Sequence, residues 1–152
     1  MKLSTRSRYG VRFMTALARA NRGDSLFLKD IAASEGISGK YLSLIVIPLR
    51  TAGLINSLRG AHGGYSLAKD PQEITLCDIV EALEGETCLV RCVKQPAVCD
   101  RTAVCPTRDV WMVLGDKIRE TLKGVTLYEL AKKNKERDNV TNTKKTTKKI
   151  KN

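Results

Sequence analysis

The sequence is short of what enzymes and membrane proteins need. It has one histidine, His62, no paired carboxylates in a recognisable catalytic motif, and no GKS or GKT phosphate loop. Those absences argue against an enzyme. No apolar run approaches the ~20 residues of a membrane-spanning helix. The opening stretch MKLSTRSRYGVRFM lacks the unbroken apolar segment of a signal peptide, so the expected location is cytoplasmic, with no membrane partner. Thiols stay reduced there, which disfavours structural disulfides. The C-x-x-C pair of zinc knuckles is also missing. Acidic residues are scarce: 16 Asp and Glu face 27 Lys and Arg, for a net charge of +11.

The excess of positive charge is not only a tail effect. Removing the five lysines of residues 139–152 from the +11 leaves +6 on the rest. A basic body points to a polyanion, and nucleic acid is the commonest one; solvated surface charge is the plainer alternative. At 152 residues and 42% hydrophobic, the chain supports one domain with a real core. The lysine-rich end, residues 134–152, has too few apolar residues to order itself and is expected to be a disordered basic tail.

Periodicity predicts a mainly α-helical protein with one small β-ribbon. Tyr9, Phe13, Ala16, Leu17 and Ala20 make an apolar helix face over 5–21. A short helix over about 28–35 ends at Gly36, and Ser38 can cap a third helix with Leu42, Ile45 and Leu49 on its apolar face. Pro48 predicts a kink or break there. Residues 55–68 read as a two-stranded ribbon with a glycine-rich tip, where His62 reads as a turn residue. Thr75 with Asp78 forms a capping box for a helix to about Leu83. A long helix should run from Pro106 to Lys123, with Val110, Leu114, Ile118 and Leu122 on one side. Thr126 with Glu129 should cap a last helix over 127–133.

Helix, short helix, tight turn, helix, ribbon is the order of a winged helix-turn-helix. Residues 1–84 form this DNA-binding region. Ala32 permits a close helix crossing, Gly36 a left-handed turn, and Ile37 plugs the junction. Ser38, Gly39, Lys40, Tyr41 and Ser43 occupy the start and exposed side of the second helix of the motif. Such residues meet base edges and phosphates of double-stranded operator DNA. Arg59 sits at the ribbon tip, where a wing can enter the minor groove. An ordinary helical hairpin and a solvated arginine are the plainer readings.

Four of five cysteines, Cys88, Cys92, Cys99 and Cys105, crowd into residues 85–105. Three, six and five residues separate them; the last two gaps are too wide for a single helix to bring those thiols to one metal, so a loop would have to wrap it. Arg91, Lys94, Arg101 and Arg108 against Asp100 favour thiolates. The residues alone leave an iron–sulfur cluster, a zinc site and redox-switch thiols all open. Cys77, inside a predicted helix, reads as a packed small hydrophobe.

The segments LSTRSRYGVRFM, DIAASEGISGKYL, PLRTAGLINSLRGAHGGYSLAKD and ITLCDIVEALEG closely resemble the Rrf family of regulators, nearest its iron–sulfur-binding, IscR-like members. The likeness spans residues 1 to about 133, and the RG-x-x-GGY-x-L wing is its most specific piece. It implies a homodimeric winged-helix regulator, probing the minor groove with Arg59 and abutting the DNA backbone with the first helix, hence Thr5 and Arg6. It implies dimerisation through residues 106–133, chiefly the helix 106–123. It also implies cluster ligation by Cys92, Cys99 and Cys105, with a two-iron (2Fe–2S) cluster ahead of a four-iron (4Fe–4S) one. The function implied is repression tuned by cluster status, iron, oxygen or nitric oxide. Two departures stand out. Arg8 and Arg108 occupy the places where relatives carry a fourth ligand, leaving Cys88, then Asp109, as substitutes. Ser43 and Leu44 stand where relatives often carry glutamate and glutamine. The alternative is a cluster-free, CymR-like regulator whose input is thiol redox, zinc or a protein partner.

Overall fold

Ser4 starts the first helix: its hydroxyl accepts from the Ser7 amide and satisfies one of the free N–H groups of the first turn. In the computed structural model, which describes residues 3–20, 23–60, 63–86 and 88–136, the elements then follow the expected order. Helix α1 spans Thr5–Arg19, α2 Leu28–Glu35 and α3 Gly39–Thr51. Strands β1 (Ile55–Leu58) and β2 (Gly64–Leu67) pair antiparallel, Ile55 opposite Leu67 and Leu58 opposite Gly64. Helix α4 covers Leu76–Glu84, a short α5 Arg91–Lys94, α6 Pro106–Lys123, and a last helix, α7, residues 127–136.

Helices α2 and α3 stop by the same device. Gly36 (φ 60°) and Gly53 (φ 67°) take the left-handed conformation that residues with a side chain rarely adopt. Each lets the next residue bond back into the last turn: Ile37 N–H to Ala32 O and Leu54 N–H to Leu49 O, both at 3.0 Å. Ile37 and Leu54 are thereby turned inward and buried. They join Phe13, Leu42, Ile45, Leu49 and Ile79 in one core beneath the helix-turn-helix.

Several local expectations need correcting. Helix α1 ends at Arg19, because Ala20 is already extended (ψ 160°). Pro48 does not break α3, which continues to Thr51. The proline sits in the last turn, so it removes only the bond to the Leu44 carbonyl. Ser38 is at the N-cap, but its side chain makes no cap bond; its carbonyl accepts from Tyr41 and Leu42. Residues 134–136, assigned to a tail, continue α7. The rest of the expected tail and His62 lie outside the described residues. The thiol segment is not wholly irregular: α5 and two 3-10 turns, Pro96–Val98 and Thr102–Val104, interrupt it.

The wing is anchored from outside the ribbon. Leu26 and Tyr65 exchange both backbone hydrogen bonds at 2.9 Å, fixing β2 to the residues before α2. Gly64 (φ 135°) makes this possible: a Cβ there would stand 2.6 Å from the Leu26 carbonyl oxygen. At the other end of the chain, Leu127 N–H bonds Ile74 O at 2.8 Å and buries Leu127 in the core.

Candidate DNA interface and thiol loop

Four predicted DNA-contact residues meet in one place. Thr5 from α1 lines a shallow groove together with Ser38, Lys40 and Tyr41 from the start of α3. The groove is held by short-range contacts. Tyr41 meets the Tyr9 ring edge-on at 5.8 Å, and the Arg12 guanidinium lies 5.6 Å from that ring while pairing with Glu35 at 3.0 Å. Gly39 faces Ala32 at this helix crossing, where a Cβ on Gly39 would lie in ordinary contact, 3.9 Å from Ala32 Cβ. Gly39 is the first residue of α3 and, like Lys40, is exposed. Ser43 is exposed, but its hydroxyl donates to the Lys40 carbonyl at 2.7 Å, so only its lone pairs face outward. Thr5 accepts from Arg8 at 3.2 Å, and Arg6 is exposed one residue along. Arg59 stands apart, exposed at the end of β1 beside a turn closed by Gly63 N–H to Gly60 O at 2.9 Å.

No acid lies in the first turn of α1 or of α3. At α1 the Glu84 carboxylate, bonded to Ser4 and Ser7, offsets the partial positive charge of the helix start, whereas at α3 that charge adds to Lys40. Such a surface attracts phosphates.

The thiols are spread over a polar loop. Cys99 is exposed, while Cys88, Cys92 and Cys105 are half-buried. Cys88 is turned to its own segment, its thiol donating to the Val90 carbonyl at 3.0 Å. The Thr107 hydroxyl, then the Arg108 amide, hold the Cys105 thiol below its ordinary pKa. Cys77 is buried, and burial followed by the Glu81 carboxylate pushes its thiol up, as a packed, unreactive residue requires. In donor chemistry Cys92, Cys99 and Cys105 suit iron. Their placement does not fit a preassembled cluster: among the described residues, no three His, Cys, Asp or Glu side chains come together closely enough to hold a metal ion. Arg108 is no ligand here. It reaches back to the Cys92 carbonyl at 3.3 Å and the Val93 carbonyl at 3.4 Å, tying α5 to the start of α6.

One functional-looking residue has no local sequence signal. Glu84, the last residue of α4, accepts from the Ser4 amide at 3.2 Å and from the hydroxyls of Ser4 and Ser7. These bonds, the hydroxyls first, hold its carboxyl below the ordinary glutamate range. They fix the first turn of α1, which carries Thr5 and Arg6. One turn earlier, Glu81 faces Arg119 of α6 at 2.9 Å.

A helix-turn-helix closed by an anchored wing, on a basic body, defines a DNA-binding transcriptional regulator of the winged-helix class. The chain belongs to the Rrf2 family: the family model described as "Iron-dependent Transcriptional regulator" matches residues 3–133. It is 42% identical over 130 residues to protein rrf2 of Nitratidesulfovibrio vulgaris, covering 86% of this chain and 87% of that one. It is 39% identical over 133 residues to the transcriptional regulator CymR of Bacillus subtilis, covering 86% and 90%. The solved CymR structure, described as the global cysteine regulator of that organism, superposes with a TM-score of 0.72 over 87% of this chain and 97% of that chain, at 37% identity. IscR of T. potens superposes with a TM-score of 0.71 over 88% of both chains, at 35% identity. CymR of Bacillus subtilis and IscR of Vibrio campbellii are named as transcriptional regulators, not enzymes, and among the described residues no helix is long and apolar enough to cross a membrane.

Proposed function

We propose that this chain is a homodimeric, operator-specific repressor whose DNA affinity is set at the loop 85–105. The groove that unites Thr5 with Ser38, Lys40 and Tyr41 carries the DNA-binding part. Lys40 and the α3 start enter the major groove, Thr5 and Arg6 meet the backbone, and Arg59 on the wing enters the minor groove. The partner subunit covers α6, which has no buried residue and exposes Val110, Trp111, Met112, Val113 and Leu114. Residues 1–84 bind DNA, 85–105 receive the signal and 106–133 dimerise. Work on chromosomal DNA makes the protein cytoplasmic.

The input on this reading is an iron–sulfur cluster held by Cys92, Cys99 and Cys105. Three exposed or half-exposed thiols in a basic loop support it, as does the iron dependence in the family description. A cluster would supply a ligation state that responds to iron, oxygen or nitric oxide. A second reading, direct thiol redox as input, is favoured by the separation of the thiols and the depressed Cys105. Iron and sulfide analysis of protein purified without oxygen decides between them. Stoichiometric iron and sulfide that fall in Cys92→Ala support the cluster. If Cys88 is the fourth ligand, Cys88→Ala loses as much iron as Cys92→Ala. A colourless protein that cannot be reconstituted removes the cluster and leaves the thiol switch.

A further inference from the structure

Leu44 is a large apolar side chain left 57% exposed in the second turn of α3. The core does not need it: α3 already buries Leu42, Ile45, Val46 and Leu49. An isolated exposed leucine is ordinary. This one is placed differently, because it lines the same groove as Thr5, Ser38 and Lys40. It follows Lys40 by four residues, so the two stack on one face, one turn apart.

The neighbouring side chains narrow what this face can read. The Ser43 hydroxyl donates to the Lys40 carbonyl, and the Tyr41 ring is half-buried against Tyr9. Beside the Ser43 oxygen, which is left only to accept, Lys40 and Leu44 remain as the large outward side chains of the first two turns. Lys40 can donate to guanine O6 or N7. Leu44 has no hydrogen-bonding group. The one base-edge feature in the major groove that an aliphatic side chain prefers is the C5-methyl of thymine.

We propose that Leu44 is a specificity-determining residue that packs on a thymine methyl of the operator. The proposal rests on the DNA-binding reading above and adds the base it discriminates. The test starts by selecting bound duplexes from a random library with the full-length chain purified without oxygen. Each thymine of the selected site is then replaced by deoxyuridine, which removes only the methyl group. Wild type should lose roughly four-fold in affinity at one thymine per half-site, the value of one buried methyl group. Leu44→Ala should bind the thymine and uracil sites equally, and circular dichroism should show it folded, since the side chain is outside the core. Wild-type indifference to uracil at every position overturns the proposal and leaves the DNA reading standing. So does a Leu44→Ala variant that keeps the full uracil penalty. Failure to enrich any sequence overturns both. The wild-type scan needs no variant, so a misfolded Leu44→Ala would not spare the proposal.

Discussion

Replacing Val113 by Asp tests the dimer most directly. Val113 is 62% exposed on α6, flanked by Val110 at 58% and Leu114 at 44%. Fully burying a valine is worth about 1.5–2 kcal/mol, so covering the exposed part contributes about 1 kcal/mol. Aspartate forfeits that and buries an unpaired polar group, at about 1–3 kcal/mol from protein mutational data. A two-fold interface counts each change twice. The minimum loss is then about 4 kcal/mol, on the order of a thousand-fold in the dimer dissociation constant. Because Val113 takes no part in the core, helix content should be unchanged. Sedimentation over a concentration series reads the effect. A Val113→Asp chain that dimerises as tightly as wild type refutes the assignment of α6, as does a wild-type chain that stays monomeric at micromolar concentration.

Arg59→Ala should weaken binding to a selected operator by about 1–3 kcal/mol if the wing contacts bases; equal titration curves would remove Arg59 from the interface. Gly64→Ala combines a φ of 135° with a Cβ placed 2.6 Å from the Leu26 oxygen. It should cost about 2 kcal/mol or more, and an unchanged urea midpoint would show that β2 shifts freely. Glu84 is held below the ordinary glutamate range, so its hydrogen bonds stabilise the fold above that range and are lost as pH falls through the depressed value. Glu84→Gln should therefore flatten the acid side of the melting-temperature profile. Parallel profiles for the two proteins would show that the carboxylate adds nothing.

What was readable in the sequence follows the range of the forces involved. Both capping boxes formed as read: Thr75 with Asp78, and Thr126 with Glu129 at 3.2 and 3.3 Å. Each spans one turn, so residue identity decides it. Helix α6 runs from Pro106 to Lys123 as expected, because a proline favours its start and Gly124 follows its end. The groove of Thr5, Ser38, Lys40 and Tyr41 was legible residue by residue, though not as a single surface. The unread features are long-range. The Leu26–Tyr65 bridge, the Ile74–Leu127 bond and the Glu84 clamp on Ser4 and Ser7 join residues that no local pattern relates. In the sequence Arg108 marks only a position where relatives carry a ligand. Its carbonyl contacts depend on how α5 turns back toward α6, which spacing does not specify.

Those long-range bonds locate where the loop can act. Residues 85–105 are tied at both ends to parts used on the proposed reading. At the near end, Glu84 holds the first turn of α1, and Glu81 faces Arg119 of α6. At the far end, Arg108 of α6 holds the Cys92 and Val93 carbonyls. A hydrogen bond to a charged group contributes about 1.5–3 kcal/mol at best, and less in water-exposed settings. Rearranging one or two of them matches the 1–3 kcal/mol typical of coupling between sites. Larger changes would need the core to move, and none of the loop's described residues belongs to the core cluster. The wing is anchored by Leu26 and also by Phe13 of α1, whose ring meets Tyr65 edge-on at 6.0 Å. On the proposed reading a signal at the cysteines reaches DNA through α1 and α6. Tyr9 of α1 packs on Tyr41 of α3 and Phe13 of α1 on Tyr65 of the wing, so the DNA-facing surfaces respond together with α1.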